Sequence, residues 1–176
     1  MNLSEKIKSA ITEVPDFPQP GISFKDITTL FENPSLCNAL LDELSAHYGQ
    51  QKIEALVALE SRGFLFGFAL ALRLNVPFVM LRKKGKLPRQ TFAQSYSLEY
   101  GEATIEMHRD ALQPGRRVLI HDDVLATGGT ALAAADLVRQ AEAEIVGFSF
   151  LAELTFLKGR DRLSGIAAPI STFAAY

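Results

Sequence analysis

The chain has 176 residues, 48% of them hydrophobic, with 18 Lys+Arg against 20 Asp+Glu and a formal net charge of −2. That apolar share over this length suits one globular domain spanning 1–176, and the slight acidity argues against a general binder of nucleic acid or membrane surface, which needs a basic excess. The single cysteine, Cys37, forbids an intrachain disulfide, no His/Cys group has zinc spacing, and the most apolar run, Gly63 to Leu72, is cut by Arg73 before it reaches bilayer length.

Leu3 to Ile11 mixes charged and apolar residues like a surface helix and ends before Pro15. The stretch lacks the apolar core of a signal peptide, so a soluble cytoplasmic protein is expected. Pro15, Pro18, Pro20 and Gly21 predict a rigid extended loop, followed by a short strand at Ile22-Ser23-Phe24. On residue type alone Phe17 and Phe24 are core side chains. Asn33 as N-cap and Pro34 at the first helical position open a scaffold helix, with Leu36, Leu40, Leu41 and Leu44 at helical spacing and Gly49 as its stop.

Ile53 to Leu59 reads as a buried strand, followed by Glu60-Ser61-Arg62-Gly63-Phe64 and an apolar helix through Leu72. Spacing leaves Arg62 open, either a surface arginine at a helix start or an anion ligand. Gly63 and Gly67, four apart, suit close helix packing. Pro77 to Leu81 is the next strand, and after it Arg82-Lys83-Lys84-Gly85-Lys86-Leu87-Pro88-Arg89 puts five positive charges into eight residues. A solvated loop, a nucleic-acid patch and a polyphosphate site all use such a run. The overall acidity and the lack of interleaved aromatics favour the last. Gln94 to Gly101 is either a hairpin edge or a mobile lid carrying one carboxylate, and Ala103 to Met107 is a hairpin strand.

After the Pro114-Gly115 turn comes the most informative stretch, Arg117 to Ala135. An apolar strand ends at Asp122 and Asp123; Val124-Leu125-Ala126-Thr127-Gly128-Gly129-Thr130 follows, then an alanine-rich helix expected to end near Ala143. Glycines let backbone N–H groups approach a phosphate, and Thr127 and Thr130 add hydroxyl donors. A helix start supplies orphan N–H groups and a positive dipole end, while the paired aspartates suit vicinal ribose hydroxyls. No Lys follows the glycines and no G-x-G-x-x-G occurs, so this is neither a Walker loop nor a dinucleotide fingerprint. A plain strand-to-helix turn with Thr130 as N-cap is the alternative; the combined pattern favours the sugar-phosphate site. Glu144 to Leu154 is a further strand, Lys158 to Arg162 a charged turn and Ile166 to Tyr176 a last strand. Strands alternating with helices predict an α/β fold with a mainly parallel sheet, and the anion loops after residues 59, 81 and 123 all follow strand carboxyl ends.

Val118 to Thr130 closely resembles the phosphoribosyl-pyrophosphate (PRPP) motif of the type I phosphoribosyltransferases: four strand residues, two acidic, two apolar, then Ala-Thr-Gly-Gly-Thr. His121 occupies a strand position that is more often apolar. Three further segments resemble the adenine phosphoribosyltransferase family in the family's order: Pro15 to Thr28, Ser61-Arg62-Gly63-Phe64 with Arg82 to Pro88, and Ser97-Leu98-Glu99-Tyr100-Gly101. The resemblance implies a type I phosphoribosyltransferase fold whose mainly parallel central sheet is flanked by helices, with residues 1–35 contributing a small hood. It implies adenine plus PRPP giving AMP and pyrophosphate, with Mg2+ bound through PRPP, a homodimer, and no nucleic-acid or membrane partner.

The family pattern also assigns residues. Arg62, Lys83 and Lys86 hold pyrophosphate, with some of these contacts expected to reach a neighbouring subunit. Asp122 and Asp123 hold the ribose, and Ala126, Thr127, Gly128, Gly129 and Thr130 hold the 5′-phosphate. Ser23, Phe24, Lys25 and Val124 contact adenine, and Glu99 with Tyr100 close over the reacting centre as catalytic residues. A transferase for another base would differ around Ser23 to Lys25 and in the lid. A PRPP- or purine-sensing regulator on the same fold would carry an added DNA-binding segment or a basic face.

Overall fold

The structure is a computed structural model that describes residues 2–17, 19–97 and 101–176. Helix α1 (Leu3–Ala10) has a capping box at Asn2 that the sequence reading did not anticipate, while helix α2 (Pro34–Tyr48) follows its expected caps. The Asn2 side chain accepts from Glu5 N–H at 2.9 Å, and the Asn33 side chain accepts from Leu36 N–H at 3.0 Å. Between the helices, β1 (Thr12–Pro15) pairs antiparallel with β2 (Ser23–Asp26) as a separate two-stranded sheet. Strand β1 was not legible as a strand, because its pairing partner lies across the proline loop. A 3-10 turn over Ile27–Glu32 leads into α2.

The main sheet contains β3 (Ala55–Leu59), β4 (Phe78–Lys83), β5 (Thr91–Ser97), β6 (Glu102–His108), β7 (Arg117–Leu125), β8 (Glu144–Glu153) and β9 (Ile170–Ala175), in the order β5-β6-β4-β3-β7-β8-β9. Its β4-β3-β7-β8-β9 portion is parallel, while the β5-β6 hairpin joins β4 antiparallel. Side-chain alternation splits the core into two layers. Ala55, Val57 and Leu59 of β3 join the layer under α4 (Gly129–Gln140), whereas Leu56 and Ala58 join the layer with α1, α2 and α3 (Gly63–Leu74). Every residue of β3 is buried, as suits a central parallel strand. No helix among the described residues is long and apolar enough to cross a membrane.

Five expectations change. Strand β7 does not stop at the acidic pair but runs through it to Leu125, because β8 continues to pair with it from Asp122 to Leu125. Helix α4 ends at Gln140, three residues short of Ala143, and the charged turn after β8 contains a short helix, α5 (Gly159–Leu163). Phe17 is 50% exposed and Phe24 half-buried, so neither belongs to the core. Their rings meet edge-on at 5.1 Å, Phe24 on β2 and Phe17 in the connection before it, and the two-stranded sheet is too thin to bury them. Gln94 to Ser97 lie in β5, paired with Glu102 to Ile105, so that part of the expected lid is hairpin strand.

Candidate active site

The carboxyl ends of β3, β4 and β7 reach one edge of the sheet, and there Glu60, Ser61, Arg62, Lys83, Tyr96, Asp122, Asp123 and Thr130 line a cavity of about 310 Å³. A smaller adjoining cavity of about 60 Å³ is lined by Asp122, Val124 and the loop from Leu125 to Gly128, with Thr130, Ala131 and Phe150 beneath. The helices that start here differ from α1 and α2. Neither α3 nor α4 has a side-chain hydrogen bond at its N-cap, so their first N–H groups are left for another acceptor. Gly128, at φ +79°, takes the cap of α4, and Thr130 stands inside the helix instead of capping it.

Arg62 and Asp123 form an ion pair through Nε and Oδ2, with the Asp123 side chain nearly buried and that of Arg62 44% exposed. Burial pulls against the Arg62 charge, but the hydrogen bond and charge of Asp123, with Asp122 and Asp26 behind them, hold the guanidinium above its ordinary pKa. Asp122 moves the other way from a normal carboxylate. Burial, reinforced by the charge of Asp123, pushes it well above its usual range, although Asp123 N–H donates to its Oδ1 at 2.8 Å. An added Cβ at Gly63 would come within 2.7 Å of that same oxygen, so the glycine lets α3 start against the aspartate. At Gly67 the added Cβ would meet Ala58 at 2.8 Å, which makes both glycines packing residues as expected.

The basic loop is held by carboxylates that the sequence reading did not single out. Glu60 Oε2 accepts from Lys83 N–H at 2.7 Å and Glu60 Oε1 meets Arg82 Nη2 at 3.4 Å, while the buried Glu106 accepts from Gly85 N–H at 2.9 Å. Replacing Glu60 with alanine is expected to raise KM for the anionic substrate about tenfold, the equivalent of about 1.4 kcal/mol. Steady-state kinetics with an unchanged KM would remove Glu60 from loop positioning. Lys83 lines the cavity, whereas Lys86 is exposed and outside its lining. Tyr96 was missed as a site residue, because only the fold of the hairpin brings β5 over α4.

Ser23, Phe24 and Lys25 stand on β2, outside both cavities. Lys25 pairs with Glu13 at 2.5 Å and lies over the Tyr176 ring at 5.1 Å. Asp26, the end of β2, has its carboxyl held below the ordinary range by hydrogen bonds from the Thr28 hydroxyl and amide, with the charge of Arg62 adding to them. The end of the small sheet therefore lies within electrostatic reach of Arg62. Glu99 and Tyr100 lie outside the described residues.

His121, two residues before Asp123, is fully buried, its Nδ1 within 3.1 Å of Ser149 Oγ and its Nε2 without a partner among the described residues. Burial moves its pKa from 6.5 down to about 4, against the pull of Asp123. The unfolded chain therefore binds a proton that the folded chain refuses. Stability from this residue is full above pH 6.5 and is lost as pH falls towards about 4, a loss of about 3 kcal/mol. In urea unfolding, His121→Asn is expected to lose less stability than the native chain between about pH 7.5 and about pH 5. Equal losses would acquit His121.

The chain matches the family model "Phosphoribosyl transferase domain" over residues 26–167. It is 50% identical over 174 residues to adenine phosphoribosyltransferase of Cytophaga hutchinsonii, covering 99% of this chain and 96% of that protein. This chain belongs to the adenine phosphoribosyltransferase family. Among family structures, adenine phosphoribosyltransferase of Rhodothermus marinus is 52% identical at a TM-score of 0.90, with 99% of this chain and 98% of that one covered. The Saccharomyces cerevisiae enzyme, solved with an imino-altritol bisphosphate and adenine, is 43% identical at a TM-score of 0.90, with 97% and 98% covered. The family's fold, a mixed and mostly parallel sheet with a small N-terminal sheet, is the one described above.

Proposed function

We propose that this chain transfers the phosphoribosyl group of PRPP to adenine, giving AMP and pyrophosphate, in the cytoplasm. The observation that carries the reading is the single cavity shared by Arg62, Lys83, Asp122, Asp123 and Thr130 at the ends of three parallel strands. Opening the C1–pyrophosphate bond builds positive charge on the ribose ring and negative charge on the leaving group. Arg62, Lys83 and Lys86 stabilise the departing pyrophosphate. Asp122 and Asp123 accept from the ribose hydroxyls, and the open N–H groups and hydroxyls of Ala126 to Thr130 hold the 5′-phosphate. Residues 1–35 form the hood of a single domain. Phe24 stacks on adenine, the Ser23 and Lys25 backbone reads its edge, and Val124 packs against it. Glu99 takes or orients the proton lost from the adenine imidazole ring, and with Tyr100 it shields the activated sugar from water.

A magnesium ion would arrive on the diphosphate, held through PRPP and not by a protein carboxylate set: Asp123 is paired with Arg62, and the cavity that admits the diphosphate is also lined by Lys83. When bound, the ion supplies charge neutralisation to the leaving group. A second copy of the chain belongs to the same proposal. Leu65, Phe68 and Leu72, exposed by 55%, 52% and 66%, form a stripe along α3, with Met80 exposed by 42% on β4. Sedimentation should show a dimer for the native chain and a monomer for Phe68→Glu; a monomeric native chain refutes the pairing.

The deciding assay supplies PRPP and magnesium with adenine, hypoxanthine, guanine, xanthine or uracil in turn. Turnover with adenine alone is expected. Turnover with a different base would overturn the hood assignment, and PRPP binding without turnover would point to a sensor.

A further inference from the structure

The short helix α5 carries two arginines that the fold uses differently. Arg160 is fully engaged: it donates to both oxygens of buried Glu153 at 2.8 and 3.0 Å, and to the Ile170 carbonyl and the Thr172 hydroxyl at 3.1 Å each. Arg162 is exposed and has no hydrogen bond or ion pair among the described residues. Its Nη1 sits at the start of α4, 3.1 Å from where a Cβ on Gly129 would stand, with the Ser97 carbonyl oxygen and Tyr96 Cδ2 3.7 Å from the same point.

That position follows from packing. An added Cβ on Gly159 would meet the Ala126 carbonyl oxygen at 2.3 Å, and one on Gly128 would meet the Gly159 carbonyl oxygen at 2.5 Å. The start of α5 is thus pressed onto the loop between β7 and α4, and Leu163, 1% exposed, anchors its far end. Residues three apart share a helix face, so the face that seats Gly159 on the loop also delivers Arg162 to Gly129. A guanidinium beside the positive, uncapped end of α4 has the wrong sign for the helix dipole. An anion held between them reverses that sign.

We propose that Arg162 is a further ligand of the sugar 5′-phosphate, gripping it from the side opposite the α4 amides. The inference rests on reading Ala126 to Thr130 as the phosphate cradle. A planar guanidinium can hold two phosphate oxygens at once, which a lysine cannot reproduce.

Titration calorimetry on the full chain tests it, with ribose 5-phosphate and pyrophosphate as separate probes. R162Q is expected to bind ribose 5-phosphate about tenfold more weakly and to keep its pyrophosphate affinity, with partial recovery in R162K and an unchanged unfolding midpoint. Unchanged ribose 5-phosphate affinity in R162Q overturns the proposal. Equal weakening of both probes with a lowered midpoint also overturns it, because it marks a structural role. Neither probe involves the base. If adenine is not turned over while R162Q still loses ribose 5-phosphate selectively, the base assignment falls and the Arg162 assignment stands. A native chain that binds no ribose 5-phosphate sinks both.

Discussion

Gly128→Ala is expected to lower kcat/KM for PRPP about a hundredfold, the scale of a misplaced binding group. Two costs combine at this position. A φ of +79° is strained for any residue with a Cβ, and the Cβ itself would stand 2.5 Å from the Gly159 carbonyl oxygen. A backbone oxygen cannot swing aside as a flexible side chain can, so the loop from Ala126 to Gly129 must shift away from its place under the α4 amides. Gly159→Ala separates the two costs, since it adds the clash with Ala126 without a positive φ. Gly115→Ala is the control: its φ is +74°, but no atom lies within 4 Å of the added Cβ. It is expected to cost about 1 kcal/mol of stability and to leave turnover intact. Steady-state kinetics and thermal unfolding on the three variants give the answer. A Gly128→Ala chain with native kcat/KM would mean that close packing of the loop on α5 does not shape the phosphate site.

Arg62→Ala is expected to reduce kcat by about 10²–10³-fold, the usual cost of removing one preorganised charge from a developing anion. The substitution also strips nearly buried Asp123 of its ion-pair partner. Arg62 is substantially exposed, so solvent screens much of that loss, and the effect should appear in turnover more than in stability. Arg62→Lys retains the charge but not the planar fork, and it should recover only part of the rate. Single-turnover measurement at saturating PRPP separates the chemical step from binding. A native single-turnover rate in Arg62→Ala would remove this arginine from leaving-group stabilisation and reduce it to a partner for Asp123.

The elements that carry these predictions were legible to different degrees. Helix α2 could be read with its cap, because Asn33 acts on a residue three positions away and such a short-range hydrogen bond is written in the local sequence. Helix α1 was legible from its pattern, though its Asn2 cap was not read. Strand β3, the unit from β7 to α4 and the three strand-end loops were legible from apolar runs and glycines, again within a few residues. Strand β1 was not, since four residues become a strand only through a partner beyond the prolines. Phe17 misled for a related reason: residue type predicts burial on average, whereas a two-stranded sheet has no interior to offer.

Sequence alone determined the family, the α/β order of elements and the position of the glycine-rich and basic loops at the strand ends, because each is a property of contiguous residues. Tertiary structure decided which of these meet. It set Tyr96 beside Thr130, tied the basic loop to Glu60 and Glu106, and joined Arg62 to Asp123 across 61 positions of chain. It also separated Arg160 from Arg162, two positively charged residues of one short turn that look alike in the sequence. The difference arises from where β8, β9 and the loop before α4 stand around α5. Glu153 is within reach of one guanidinium and the bare start of α4 within reach of the other, and no local pattern encodes such long-range placement.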